Sequence, residues 1–298
     1  MPLLSSVFEP GFFSNGPTQS ALTIGGVVAV VSGVVGVFTV ARGQSFAGHS
    51  LSDIGTAGGS AAFLVGMAPL YGFIVMNVMA AGVMELIGIR RPRGRDLATG
   101  IVLGAALGLA ALFLYLDTTT SSTTGATVTV LFGSIFTLDP TTVPVVAVLG
   151  IVALGCVLAL FRPLILSSIS PDLATVRGVS VRLVGVGYLI ALALAVSLSS
   201  ITVGAILSTA LLIGPAATAL HLTNRTGPAI LMAAVIGAVE TWLGILLAYD
   251  SYYWFAGSHG LPVSFFIVLI VFVVYLTVQT TVRLSQRTRG YAGRSSAT

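Results

Sequence analysis

Nine stretches of mostly apolar residues recur along the chain, near residues 21–41, 46–68, 70–89, 97–117, 143–162, 183–201, 204–222, 227–249 and 262–282. One bilayer crossing takes about 20 apolar residues. The pattern therefore predicts an all-α polytopic membrane protein of nine transmembrane helices. Eight also fits, because "GTAGGSAAFLVG" in the second stretch and "STALLIGPAAT" in the seventh carry Gly and Pro. A helix keeps these in lipid only where its neighbours satisfy its backbone. Two connections exceed a turn. Residues 121–137, "SSTTGATVTVLFGSIFT", hold an apolar portion too short to span and read as a re-entrant or interfacial segment. Residues 163–182, "PLILSSISPDLATVRGVSVR", contain a helix start at Ser170-Pro171-Asp172 and a stop at Gly178. A short helix between two spans is a natural handle for a soluble partner.

Composition agrees: 56% of the residues are hydrophobic and 7% charged, against about a quarter charged in soluble domains. The basic residues orient the chain. All 13 are arginine, at 42, 90, 91, 93, 95, 162, 177, 182, 225, 283, 287, 289 and 294. They flank alternate span ends only, which by the positive-inside rule puts the N-terminus outside and the C-terminus in the cytoplasm. Residues 1–20 then form an extracytoplasmic segment, 21–282 a single transmembrane domain, and 283–298 a cytoplasmic basic tail. No signal peptide is expected, since no basic n-region precedes the first apolar run. The net charge of +4 is spread over several turns and not gathered into a groove, so nucleic acid is not an expected partner, whereas membrane lipid is. The single cysteine, Cys156, offers neither a disulfide nor a cysteine metal motif.

Three acids fall inside the predicted spans, short of their terminal residues: Asp53, Glu85 and Glu240. A charge at the bilayer centre costs roughly 3 kcal/mol or more, which marks such an acid as a functional candidate. Glu85 lies about one turn from Arg90 and Arg91 and reads as an acid paired at the cytoplasmic surface. Glu240, in "AVIGAVETWLG", has no basic residue inside the bilayer; packing within the bundle and a place on a transport pathway both fit. Asp53 stands four positions after His49 in "GHSLSDIGTAGG", so the two share one helix face. An imidazole with a carboxylate suits zinc, manganese or iron. Two ligands make a poor site, but a two-fold dimer would offer four. An internal His–Asp hydrogen bond or a proton relay fits the same spacing. His221, next to Arg225, suits a helix C-terminus. Tyr252, Tyr253 and Trp254, just before His259, suit an interfacial aromatic belt or a docking surface for an outer partner.

The sequence resembles, over nearly its whole length, the membrane permeases of ABC importers for zinc, manganese and iron. "VGAILSTALLIGPAATA", Val203 to Ala219, is similar to a family signature of the kind V-G-x-L-L-x-x-A-L-L-x-x-P-A-A-T-A, with Gly204, Gly214 and Pro215 at its helix-breaking positions. "PDLATVRGV" resembles the family's coupling segment, with Leu173, Ala174, Gly178 and Val179 matching and Asp172 beside them; Ser170 stands where the family usually has an acid. "LFGSI", Leu131 to Ile135, resembles its outer L-F-G-x-I segment. "GHSLSDIGTAGG" resembles G-D-A-L-S-H-A-x-x-P-G with the acid and histidine exchanged in order and Ala57 in place of the proline. The resemblance implies that His49 and Asp53 are ion ligands and that residues 171–180 couple to an ATPase.

It further implies a homodimer in the bacterial plasma membrane, a cytoplasmic ATPase dimer and an extracytoplasmic metal-binding protein. The chain has no lysine and hence no Walker A loop, so ATP is expected to be used by the partner, with no cofactor and no enzymatic activity in this chain. Glycines at 55, 58, 59, 204 and 214 are expected to allow close helix approach. The alternative is a stand-alone ion- or proton-coupled secondary transporter using Asp53 and Glu240. It predicts inverted repeats, and the two halves show no self-similarity. An intramembrane enzyme would carry H-E-x-x-H or G-x-S-x-G, and neither occurs.

Overall fold

The computed structural model describes residues 11–88, 92–120, 125–254 and 260–295, and every regular element among them is a helix. They are α1 (Gly16–Ala41), α2 (Ser45–Leu64), α3 (Pro69–Gly88), α4 (Pro92–Thr120), α5 (Gly125–Phe132), α6 (Thr142–Ala159), α7 (Phe161–Ile169), α8 (Pro171–Val176), α9 (Val181–Val203), α10 (Ser208–Leu222), α11 (Thr226–Trp254) and α12 (Val263–Ser295). Helix is what apolar sequence in lipid must form, since no water is there to take up free backbone groups.

Each predicted span carries a helix, but three boundaries moved. The seventh span does not begin at Gly204: that residue takes φ +91° after α9, residues 204–207 are non-helical, and α10 starts only at Ser208. Helix α10 then runs unbroken through Gly214 and Pro215, so the break within the signature lies at Gly204 alone. The fifth span ends at Ala159, and α7 sets off directly after Leu160. The second ends at Leu64, followed by a turn with Gly66 at φ +74°.

Among the described residues six helices are long and apolar enough to cross a membrane: Gly16–Ala41, Gly100–Thr119, Thr142–Ala159, Val181–Val203, Thr226–Trp254 and Val263–Leu284. Helices α3 and α10 contribute shorter apolar stretches, Pro69–Glu85 and Ser208–Leu222. Helix α2 is absent from both groups, because Gly, Ser, Thr and Ala fill it. Its middle, Ser50 to Ser60, is nevertheless buried at every position except Asp53. Small side chains let it enter the bundle closely: Gly58 and Gly72 of α3 meet backbone to backbone, with no room for a Cβ on either.

Helices α1 and α9 form the centre, with 72% and 61% of their apolar windows buried against 17% for α4 and α12. Val28, Val31, Val35 and Phe38 of α1 pack with Leu192 and Leu198 of α9, Leu211 and Leu212 of α10, and Leu51 and Ile54 of α2. This core holds α2 and the start of α10 against one another.

Candidate metal centre and its surroundings

The first turns of α2 carry the candidate pair. His49 Nε2 lies 3.5 Å from Asp53 Oδ2, one helical turn apart, with side-chain exposures of 49% and 20%. From Ser50 to Ser60 all the other residues of the helix are buried, so Asp53 with His49 before it opens a polar window at its N-terminal end. The other imidazole nitrogen, Nδ1, is 3.2 Å from Thr209 Oγ1 at the start of α10. When Nδ1–H donates to that hydroxyl, the Nε2 lone pair is left facing Asp53, which is how a metal-binding histidine is held in one tautomer. Thr209 escaped the sequence reading because its only mark was a variable position in the signature.

A buried hydroxyl fixes the spacing between the two helices. Ser52 donates to the carbonyl of Ala205, in the break before α10, and its oxygen also pairs with Ser208 Oγ. The break is held from its other side by the end of α5. Ala205 N–H donates to Val130 O (3.1 Å), Ile206 N–H to Leu131 O (3.4 Å), and Ser134 N–H to Ile201 O (3.4 Å). A Cβ on Gly133, at φ +79°, would stand 2.5 Å from Thr202 O. One on Gly204 would run into Leu131 and Phe132 backbone. The "LFG" and "VG" motifs are therefore two sides of a single backbone junction, set against the ligand pair.

Among the described residues no three of His, Cys, Asp and Glu gather at one place, so the pair supplies two ligands and no more. Glu240 is buried in α11, 2% exposed, and neither carboxylate oxygen has a hydrogen-bond partner among the described residues. It is not joined to His49 or Asp53. Two further buried acids, Asp117 and Asp250, sit near span ends. His221 turns back on its own helix, with Nδ1 2.7 Å from Ala217 O and its ring edge-on to Tyr275. Glu85 lines a cavity of about 320 Å³ with Arg182; Arg90, Arg91 and His259 fall outside the described residues. Tyr252, Tyr253 and Trp254 are exposed, and Tyr252 and Tyr253 stack edge to face.

Helix α8 follows α7, whose Ser167 and Ser168 meet Arg42 at the α1–α2 turn. Ser170 Oγ accepts the Leu173 N–H (3.2 Å), Pro171 occupies the first turn with Asp172, and Gly178 closes the helix at φ +76°. Val179 N–H then returns to Ala174 O at 2.9 Å. Ala174 is buried, whereas Ile169, Leu173 and Val176 project apolar side chains outward.

Residues 16–281 match the ABC 3 transport family. The chain belongs to that family. Among its relatives is the manganese transport system membrane protein MntC of Listeria innocua, 28% identical over 91% of this chain and 94% of that protein. The high-affinity zinc uptake system membrane protein ZnuB of Haemophilus influenzae is 26% identical over 78% of this chain and 88% of its own. Among solved structures, PsaBC from Streptococcus pneumoniae in complex with Fab superposes with a TM-score of 0.77 at 26% identity, covering 93% of this chain and 95% of that one. Family membership and the six apolar helices make the chain a multi-pass membrane protein and a transport subunit.

Proposed function

We propose that the chain is the permease of an ATP-driven importer of divalent transition-metal ions in the bacterial plasma membrane. Manganese and zinc are the first candidates, from the names of the relatives, with iron the third ion that the ligand set admits. The observation that carries the reading is the His49–Asp53 pair. Metal–ligand bonds of about 2.1 Å at an angle of about 110° span the 3.5 Å between Nε2 and Oδ2, so one ion fits between the two side chains as they stand. Two ligands hold an ion that must leave again, and a second copy of the chain, related by a two-fold axis, would complete the coordination. Nine crossings, with the arginine-bearing ends in the cytoplasm, then put α8 where an ATPase dimer reaches it. An extracytoplasmic metal-binding protein would deliver the ion at the opposite face. ATP binding would press on α8 and rock the bundles so that the pair opens to one side at a time.

The test is ATP-dependent uptake of manganese, zinc and iron into vesicles that hold the permease, its ATPase and its binding protein. His49→Ala and Asp53→Ala are each expected to abolish uptake of the transported ion with the complex still assembled. Unchanged uptake in both would remove the pair from the pathway.

A further inference from the structure

We infer that Arg42 is a positioning residue that joins the helices contacting the ATPase to the helix bearing the ion ligands. This rests on the importer reading above. The arginines at this end of the bundle are alike in sequence, and all serve equally as topology signals. Their placement separates them. Arg162, Arg177, Arg182, Arg225 and Arg283 are exposed, whereas Arg42 is partly buried and turned into the bundle.

Its guanidinium bridges three helices. From the end of α1, Nη1 donates to Ser167 Oγ (3.0 Å) and Ser168 Oγ (3.3 Å) of α7. Both hydroxyls give their own protons to Leu164 O, which aims their lone pairs at the cation. The guanidinium also lies over the ring of Tyr188 in α9, 5.2 Å from its centroid. Tyr188 O–H donates to Thr39 Oγ1 (2.7 Å), back on the last turn of α1. The bonds close a loop through α7, α9 and α1.

Two short stiff connections carry this node further. On one side, Ser168 is two residues from Ser170, the N-cap of α8, so α7 and α8 are joined with no slack. On the other, the α1–α2 turn is only residues 42–44 and is fully bonded: Arg42 N–H to Phe38 O, Gly43 N–H to Val40 O and Gln44 N–H to Thr39 O, all at about 3 Å, with Gly43 at φ +63°. Gly48 N–H bonds Gln44 O at 3.1 Å, and His49 follows. A push on α8 therefore reaches α2 through the Arg42 fork, without passing through any long loop. A planar fork over an aromatic ring does this where a lysine point charge does not.

The experiment counts ATP hydrolysed per ion taken up in the same vesicles, for wild type, Arg42→Lys and the Ser167→Ala/Ser168→Ala double variant. Lysine keeps the charge that sets topology, and alanine favours the α7 helix. Both variants are expected to keep ATPase assembly and hydrolysis while uptake falls about tenfold, raising ATP per ion by the same factor. Hydrolysis and uptake falling in parallel, or a wild-type ratio in the double variant, would overturn the role of Arg42. Wild type that takes up none of the three ions would instead overturn the importer reading, and the inference with it.

Discussion

Gly58→Ala tests whether the ion-bearing helix is positioned by backbone contact. An alanine Cβ at this site would stand 2.5 Å from Met76 Cβ and 2.8 Å from Gly72 C, and closer still to Gly72 O. Ordinary contact begins near 3.4 Å, so α2 must retreat from α3 by about 0.9 Å at Met76 alone. Backbone on one side and a Cβ on the other leave no flexible side chain to give way. Overpacking of this kind costs about 1–3 kcal/mol, against a helix-propensity gain of at most about 1 kcal/mol for replacing glycine. Asp53 lies five residues away on the same helix, and binding sites hold their ligands to within about 0.5 Å. Gly155→Ala in α6 is the control, since nothing lies within 4 Å of its Cβ and only the propensity gain applies. Thermal unfolding of purified permease, with uptake in vesicles, is the assay. Gly58→Ala is expected to lower the midpoint and abolish uptake, and Gly155→Ala to do neither. If Gly58→Ala matched the control in both, the contact at Gly72 would not be what places α2.

Three other substitutions probe the site's supports. Ser52→Ala removes the hydroxyl bonded to Ala205 O and Ser208, and is expected to cost about 1 kcal/mol in a chemical unfolding curve and to weaken uptake. Gly204→Ala strains a left-handed backbone and collides with α5; a loss of 2 kcal/mol or more, on the order of known strained positions, should appear as poor recovery of folded protein, and ordinary recovery would contradict the junction. Glu240→Gln keeps the shape and replaces an acid that no described cation faces, so stability and uptake should both hold; lost uptake at unchanged stability would move Glu240 onto the pathway.

The helices and the cap of α8 were legible because hydropathy and Ser-Pro-Asp chemistry are local signals. The His49–Asp53 pair was legible because helical spacing alone puts the two on one face. The break at 204–207 was not: these residues are as apolar as their neighbours, and what unwinds them is a glycine backbone pinned by a segment 70 or so residues away. The same holds for Arg42, whose partners are 125 and 126 positions distant. The burial of Asp117 and Asp250 was not legible, since sequence shows how polar a side chain is and not what the fold lays over it. Helix α7 was hidden because the apolar run continues straight through Leu160, where the chain bends, and Pro163 falls inside the first turn of the new helix.

The composition of α2 bears on how the protein is made. A nascent segment enters the bilayer by its own apolar surface, and α2 lacks the hydropathy that the six long helices have. Helices α1 and α3 flank it in the chain, and α3 closes on it through glycine backbone. Helix α2 is thus threaded in as the passenger of a hairpin, and its residence in the membrane depends on neighbours that arrive with it. Biogenesis and transport converge on the same small residues: a larger, greasier α2 would insert readily on its own and then fail to fit.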